Sequence, residues 1–463
     1  MQTTIREALY RLLKMRGVAH TTLNLYGPGA VRIHLIPPKF GLGVPPSVVV
    51  LNGQDIIPIN LAWAILLDIF INEVNKYHGN EITSEDLEKV VSSTLQKAKK
   101  VYPKPGNVRM KEDLWKIINA LCAVAYGKQP EEEIGYMTIG DYAPLMRAPH
   151  RMDLMVSNMK KYGFWNCNQK CMHCYAAGQA QAEVTELSTE EWKKVIDKCR
   201  DIGIPQLTFT GGEPTMREDL VELIDQARWF VTRLNTNGVK LSPSFCRELY
   251  EVSLDSVQIT LYSCVKEEHN TLVGASNFKK TVEGIKNALD AGLNVSVNTP
   301  LCKINARYKK TLEFLKELGV QYVSCSGLII TGNACTQSSR STQLEEDEMY
   351  NILKDAKEYC ESQHMEISFT SPGWVEQEKL VKLGLTVPTC GACLSNMAIA
   401  PNGNVVPCQS WLSDDGVLGN ILKDSWSRIW NSRECKKKRK FSASTECKCP
   451  LRDKEGAKWL KEV

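Results

Sequence analysis

The sequence predicts an α/β chain, and three observations carry that reading. From Met152 to Cys325 short apolar runs alternate with longer amphipathic ones, and alternating strands and helices require a parallel sheet with right-handed crossovers. Residues 1 to 130 are patterned differently, with two β-rich runs ahead of three helical stretches. Residues 371 to 463 regroup cysteines around a hairpin signal.

In the first region, Val31-Arg-Ile-His-Leu-Ile36 and Ser47-Val-Val-Val-Leu51 read as strands, separated by Pro37, Pro38, Gly41, Gly43, Pro45 and Pro46. Helices are expected over Leu61 to Tyr77, Ser84 to Ala98 and Lys111 to Ala125. Asn60 starts the first of these, Gly79 follows its end, and Thr83-Ser-Glu-Asp86 caps the second. This is a small α+β module similar to a winged helix. Residues 131 to 151 are polar and proline-bearing, and read as a linker.

From 152 to 370 the expected strands are Met152 to Val156, Gln206 to Phe209, Thr232 to Asn235, Ser256 to Leu261, Asn294 to Asn298 and Gln321 to Cys325. The expected helices are Ser188 to Cys199, Arg217 to Arg228, Pro243 to Glu251, Phe278 to Ala291 and Tyr308 to Leu318.

Bulk properties narrow the function. The 463 residues are 43% hydrophobic, enough for folded cores in two to four domains. A net charge of +4 on 57 basic and 53 acidic residues leaves no dominating basic tail, so nucleic acid is not an evident partner, and no helix of residues 1 to 130 carries a row of Arg and Lys. The most apolar stretch, Leu61 to Leu67, runs into Asp68 and is too short to span a bilayer. The first residues include Arg6, Glu7, Arg11, Lys14 and Arg16, so no secretory signal is expected and the reading is cytoplasmic. The 17 cysteines are then better read as metal ligands and buried thiols than as disulfides.

The cysteines with the clearest pattern are Cys167, Cys171 and Cys174, a Cys-x3-Cys-x2-Cys loop followed by Tyr175. A 4Fe-4S cluster normally takes four thiolates, so three leave one iron without a protein ligand. The alternative reading is a structural zinc loop.

Cys-x3-Cys-x2-Cys followed by an aromatic resembles the signature of the radical S-adenosylmethionine (radical SAM) enzymes. In that family the amino and carboxylate groups of SAM occupy the open iron, and the reduced cluster cleaves SAM to methionine and a 5′-deoxyadenosyl radical. The resemblance implies a partial barrel of six β/α units with active residues at the C-terminal strand ends. It assigns Gly211, Gly212 and Glu213, in Gly-Gly-Glu-Pro, to the methionine amino group of SAM. It further implies Asn237, in Thr-Asn-Gly, as a SAM contact, Asn298 as a candidate for the SAM ribose or carboxylate with tying down a loop as the alternative, and Gly332 along the adenine with Tyr175 beside it, ordinary core being the alternative for Tyr175. His269, Cys264 and Cys335 are candidate catalytic residues near strand ends, with loop anchoring as the alternative for His269. The resemblance also implies a reductant such as ferredoxin or flavodoxin.

Near the C-terminus, Cys390-Gly-Ala-Cys393, nine residues, Gly403, four residues and Cys408 resemble the opening of the SPASM and twitch extensions, which hold auxiliary 4Fe-4S clusters. Asn402-Gly403 between apolar runs is a type I′ hairpin signal. Much of the final SPASM cysteine set is missing, so one auxiliary cluster is expected on Cys390, Cys393 and Cys408, completed by Cys447 or Cys449. A zinc knuckle on the same thiolates is the alternative.

The favoured reading is maturation of a ribosomally made peptide or protein, with residues 1 to 130 binding its leader through a strand edge. The alternatives are modification of a small-molecule cofactor or tetrapyrrole, and a zinc-dependent scaffolding protein. In the tetrapyrrole case residues 1 to 130 are only structural, a barrel cap or a dimerisation unit.

Overall fold

The structure is a computed structural model that describes residues 18–23, 31–38, 46–53, 55–77, 83–102, 106–444 and 448–452. Two compact units emerge. The first holds the described residues through His150 with Asp197–Pro205 and Trp229–Val231, and the second holds the rest.

The first unit is built on a four-stranded antiparallel sheet, β1 (Ala19–Leu23), β2 (Val31–Ile36), β3 (Ser47–Leu51) and β4 (Asp55–Ile59), in that order. Sequence patterning missed β1 and β4. Pro58 argues against a strand, yet β4 is an edge, where a missing N–H costs no ladder bond.

Three helices follow, α1 (Leu61–Val74), α2 (Ser84–Lys99) and α3 (Asn107–Ala125). Asn60 caps α1 by accepting from the Trp63 N–H at 3.0 Å, and Thr83 with Asp86 forms a capping box on α2. Gly79 lies outside the described residues. The core packs Ile33, Leu35, Val49 and Leu51 against Leu67, Phe70, Leu114 and Ile117. The stretch expected as a linker packs into this unit. Met137 N–H donates to the Ile56 carbonyl at 2.8 Å, and Tyr142, Met146 and Ala148 are buried.

Buried among these helices, Glu73 accepts hydrogen bonds from Ser93 Oγ, Lys76 and Lys97. Burial opposes its charge, but those donors together hold its carboxyl down to about 2.

The second unit is organised on one sheet. Its strands begin with β5 (Arg151–Ser157), followed by a two-stranded ribbon, β6 (Lys160–Lys161) and β7 (Phe164–Trp165). The parallel series continues with β8 (Gln206–Gly211), β9 (Val231–Thr236), β10 (Ser256–Thr260), β11 (Asn294–Pro300), β12 (Tyr322–Ser326) and β13 (Glu366–Phe369). The six strands expected from the sequence are all present, within a residue or two at each end, and adjacent in sequence order.

Two features were not anticipated. β13 adds a seventh parallel strand at one edge. At the other edge β14 (Asn396–Ile399) pairs parallel with β5, Met397 opposite Met152, before β15 (Asn404–Val406) and β16 (Gly419–Asn420) turn antiparallel. The cysteine-rich segment is therefore continuous with the barrel sheet.

The helices of this series are α4 (Thr189–Ile202), α5 (Leu220–Gln226), α6 (Pro243–Glu251), α7 (Lys266–Val273), α8 (Phe278–Asp290), α9 (Tyr308–Glu317) and α10 (Glu346–Ser362). Two short helices, α11 (Trp426–Trp430) and α12 (Arg433–Ser442), close the described chain. The Asn402-Gly403 hairpin is not type I′. Gly403 has φ +86 while Asn402 is absent from the positive-φ residues, and Ala400 N–H bonds the Asn404 carbonyl around a three-residue loop. Pro401 supplies the φ that a type I turn needs, and Gly403 takes the left-handed bulge position. Among the described residues no helix is long and apolar enough to cross a membrane.

A folded carboxyl pKa below its unfolded value contributes stability above the unfolded pKa that is lost as pH falls through the folded one. For Glu73 the window runs from about 4.5 down to about 2. Glu73→Gln is expected to destabilise the protein by about 2–3 kcal/mol at neutral pH and to flatten its acid sensitivity in that window, as measured by chemical denaturation.

Candidate functional site

At the C-terminal ends of the parallel strands lies a cavity of about 550 Å³. Its wall includes Cys167, Cys171, Cys174 and Tyr175 from the loop after β7, Gly211, Gly212 and Glu213 from the end of β8, Asn237 after β9, and Asn298 on β11. These residues are far apart in sequence, and the order of the strands brings them together.

The cysteine loop is held by its backbone. Lys170 and Met172 N–H groups donate to the carbonyls of Val273 and Leu272 at the end of α7. Asn333 reaches back twice, N–H to the Cys174 carbonyl at 2.9 Å and Nδ2 to the Cys171 carbonyl at 3.0 Å, and Ser339 Oγ donates to the Met172 carbonyl. Trp165 Nε1 donates to the Gln169 carbonyl, tying the β6–β7 ribbon to the same loop. Burial pushes the Cys167 thiol up to about 12 and raises Cys171 and Cys174 as well. Thiols of this kind ionise on meeting a cation, so loading releases protons.

Glu213 is 2% exposed. Its Oε1 accepts from Thr215 N–H, Thr215 Oγ1 and Thr236 Oγ1, and its Oε2 accepts the Asn237 N–H at 2.9 Å. Burial raises its pKa and these donors oppose the rise. The carboxylate thus locks the ends of β8 and β9 together while one edge still faces the cavity.

The glycines permit close approach. A Cβ on Gly211, φ +141, would stand 2.3 Å from the Ser157 carbonyl, and one on Gly212 would stand 2.7 Å from that of Asn158. Gly332 does not line the cavity but presses on the loop from outside, where a Cβ would meet the Cys174 and Tyr175 carbonyls at 2.5 and 2.4 Å. Asn237 Nδ2 donates to Asn168 Oδ1, and Asn298 Oδ1 accepts from Ser324 Oγ at 3.0 Å.

The three catalytic candidates take other places. His269 is wholly buried on α7, a helix that sequence patterning missed, where its Nδ1 accepts the Tyr262 N–H at 3.3 Å and its ring meets Phe278 edge-on. Burial lowers its pKa to about 4, so it is neutral and anchors the loop after β10. Cys264 is half-buried and Cys335 exposed, and neither belongs to the cavity wall.

In the C-terminal segment Cys390 and Cys408 pack in one small cluster, and Cys449 and Cys390 both act electrostatically on Cys408. Burial raises Cys449 to about 11. Cys447 lies outside the described residues. Sequence spacing gave no role to Cys435, which sits on α12 in hydrogen-bond contact with Cys393. Arg439 Nη1 donates to Cys435 Sγ at 3.5 Å while its guanidinium stacks 3.8 Å from the Trp430 ring centre. The Trp-x3-Trp-x4-Cys-x3-Arg spacing places these groups on successive turns, and was the available signal.

Three thiols on one cavity wall suit a 4Fe-4S cluster, where each sulfur binds a different iron. Beside Cys167 and Cys171, Asn168 Nδ2 and Gln169 Nε2 are buried donors without protein partners, which cluster sulfides would satisfy.

Gly332→Ala is expected to displace the cysteine loop and lower the iron content and SAM affinity of the first site several-fold while leaving the C-terminal cysteine site loaded. Iron assay and SAM titration on the variant check this, and full retention of both would contradict the close contact.

Residues 166–315 match the radical SAM superfamily, and residues 390–450 match SPASM, an iron-sulfur cluster-binding domain. An Fe-coproporphyrin III synthase of Methanosarcina barkeri is 33% identical over 190 residues, 39% of this chain and 47% of that protein. The chain thus spans about half the length of that relative. An AdoMet-dependent heme synthase of Oleidesulfovibrio alaskensis is 28% identical over 287 residues, 58% of this chain and 73% of that one. Among solved structures, Streptococcus suis SuiB bound to precursor peptide SuiA superposes with a TM-score of 0.56 at 13% identity, covering 86% of this chain and 88% of that one, a likeness of fold. With its cysteine loop, glycine pair and strand-end carboxylate gathered at one cavity, the chain belongs to the radical SAM superfamily and carries a C-terminal SPASM domain.

Proposed function

We propose that this radical SAM enzyme modifies a tetrapyrrole, with Cys167, Cys171 and Cys174 holding the cluster that binds SAM. The observation that carries the SAM site is the single cavity shared by those thiols, the Gly211-Gly212 backbone, Glu213, Asn237 and Asn298. The tetrapyrrole assignment is supported by the two curated relatives, named for coproporphyrin and heme chemistry. When bound, the cluster supplies the electron that cleaves SAM.

The chain's own residues position and shield. Gly211 and Gly212 let the backbone approach the ligand, Glu213 offers a carboxylate edge to an ammonium, and Asn298 is held by Ser324 to face the same space. Tyr175, with its hydroxyl raised by burial, stays a neutral wall. Cys390, Cys393, Cys408 and Cys449 hold the auxiliary cluster, and Cys435 hydrogen-bonds Cys393 from outside that set.

Peptide maturation is the second reading, favoured by the likeness of fold to SuiB and by the edge strands of the first unit, which suit strand addition by a leader.

Incubation with SAM, a reductant and Fe-coproporphyrin III is expected to yield 5′-deoxyadenosine and a mass change in the tetrapyrrole, read by mass spectrometry. 5′-Deoxyadenosine formation that is stimulated by a gene-adjacent peptide and not by any tetrapyrrole would move the assignment to the second reading. Cys449→Ala is expected to lose about half of the iron and Cys435→Ala to keep it. The reverse pattern would make Cys435 the ligand.

A further inference from the structure

Parallel barrels ordinarily fill their interior with bulky branched side chains. Here the alternation runs the other way. On β9, Arg233 and Asn235 face the cavity while Leu234 is buried on the outer side, and on β10 Gln258 and Thr260 face it while Val257 and Ile259 do not. The inward positions therefore line a polar chamber rather than a core.

The charge around Arg233, away from Glu213, is unbalanced. Arg151, the first residue of β5, grips Asp153 through two bonds, Nε to Oδ1 at 2.8 Å and Nη2 to Oδ2 at 3.3 Å. Arg233 has one hydrogen bond, Nε to Ser256 Oγ at 3.4 Å, and among the described residues no ion pair. Burial and the neighbouring Arg151 lower its pKa, with Asp153 opposing. Beside it, Thr208 Oγ1 and Asn235 Oδ1 are buried without hydrogen-bond partners. Two guanidinium groups thus share one carboxylate. In the SAM placement that the resemblance implies, its carboxylate belongs at the cysteine loop and does not supply the missing anion. Arg233 precedes the end of β9 by three residues, about 10 Å of strand.

We propose that Arg151 and Arg233 form a carboxylate-binding subsite at the floor of the barrel, which takes an acid arm of the substrate. This rests on the tetrapyrrole reading for the substrate's identity but on the chamber alone for its chemistry. The cavity of about 550 Å³ is within the range that encloses one drug-sized ligand. With SAM in place the remaining space admits an arm rather than a whole macrocycle.

The test is equilibrium binding of coproporphyrin III to the cluster-loaded full chain, followed by fluorescence, with glutarate and a short aspartate-containing peptide as further probes. Arg233→Gln is expected to weaken coproporphyrin binding roughly tenfold or more, and Arg233→Lys to recover part of the loss. Asp153→Asn, which removes the competing carboxylate without changing shape, is expected to bind equally or more tightly. Iron content and SAM affinity should stay at the wild-type level in all three. Unchanged coproporphyrin binding in Arg233→Gln would overturn the subsite and leave the tetrapyrrole reading standing. Binding of glutarate or the peptide, but not of coproporphyrin, with the same Arg233 dependence would keep the subsite and remove the tetrapyrrole. Absence of Arg233-dependent binding by every probe, or an equal loss in Asp153→Asn, would overturn the subsite.

Discussion

The closeness of β5 to the turn after β8 is the constraint on which the site depends. Gly212 N–H bonds the Ser157 carbonyl at 2.9 Å, and a side chain on either glycine would be driven into the β5 backbone or the turn after it. Because that approach is possible, the Gly212 carbonyl comes within 3.7 Å of Cys167 Sγ and the next residue, Glu213, drops into its ring of donors from Thr215, Thr236 and Asn237. One backbone contact therefore positions a thiol wall, a carboxylate and the strand end beyond it.

The same sheet carries two different chemistries because its faces are unequal. Outward residues such as Val257, Ile259 and Leu234 are fully buried and supply the apolar area that stabilises the barrel. Inward residues are hydroxyls, amides and arginines, whose desolvation is tolerable only in a chamber that water or ligand fills. The fold's stability and its binding capacity thus sit on opposite sides of the same strands. The pairing of β14 with β5 extends this arrangement, since Ser395, Asn396, Gln409 and Ser410 of the SPASM segment reach the same cavity wall.

Local signals were legible where the physics is local. The capping residues Asn60 and Thr83, the cysteine loop and the Gly-Gly-Glu turn all stand where their spacing implied. Signals failed where a neighbour overrides the pattern. Pro58 hides an edge strand, Glu366–Phe369 is a strand only because β12 lies beside it, and Asn402-Gly403 forms a different turn because Pro401 precedes it. Helix α7 was missed because its short polar run is buried on only one side, by His269, Leu272 and Val273.

What the sequence determined by itself is the class of chemistry. Cysteine spacing specifies a three-thiolate loop, and alternating runs specify a parallel sheet, because both depend on near neighbours along the chain. Only the tertiary structure decided which distant residues meet. It set Cys435 against Cys393, turned His269 away from the cavity into the core, and placed Arg233 beside Arg151 and Asp153. Those juxtapositions depend on strand order and register, which no local pattern encodes.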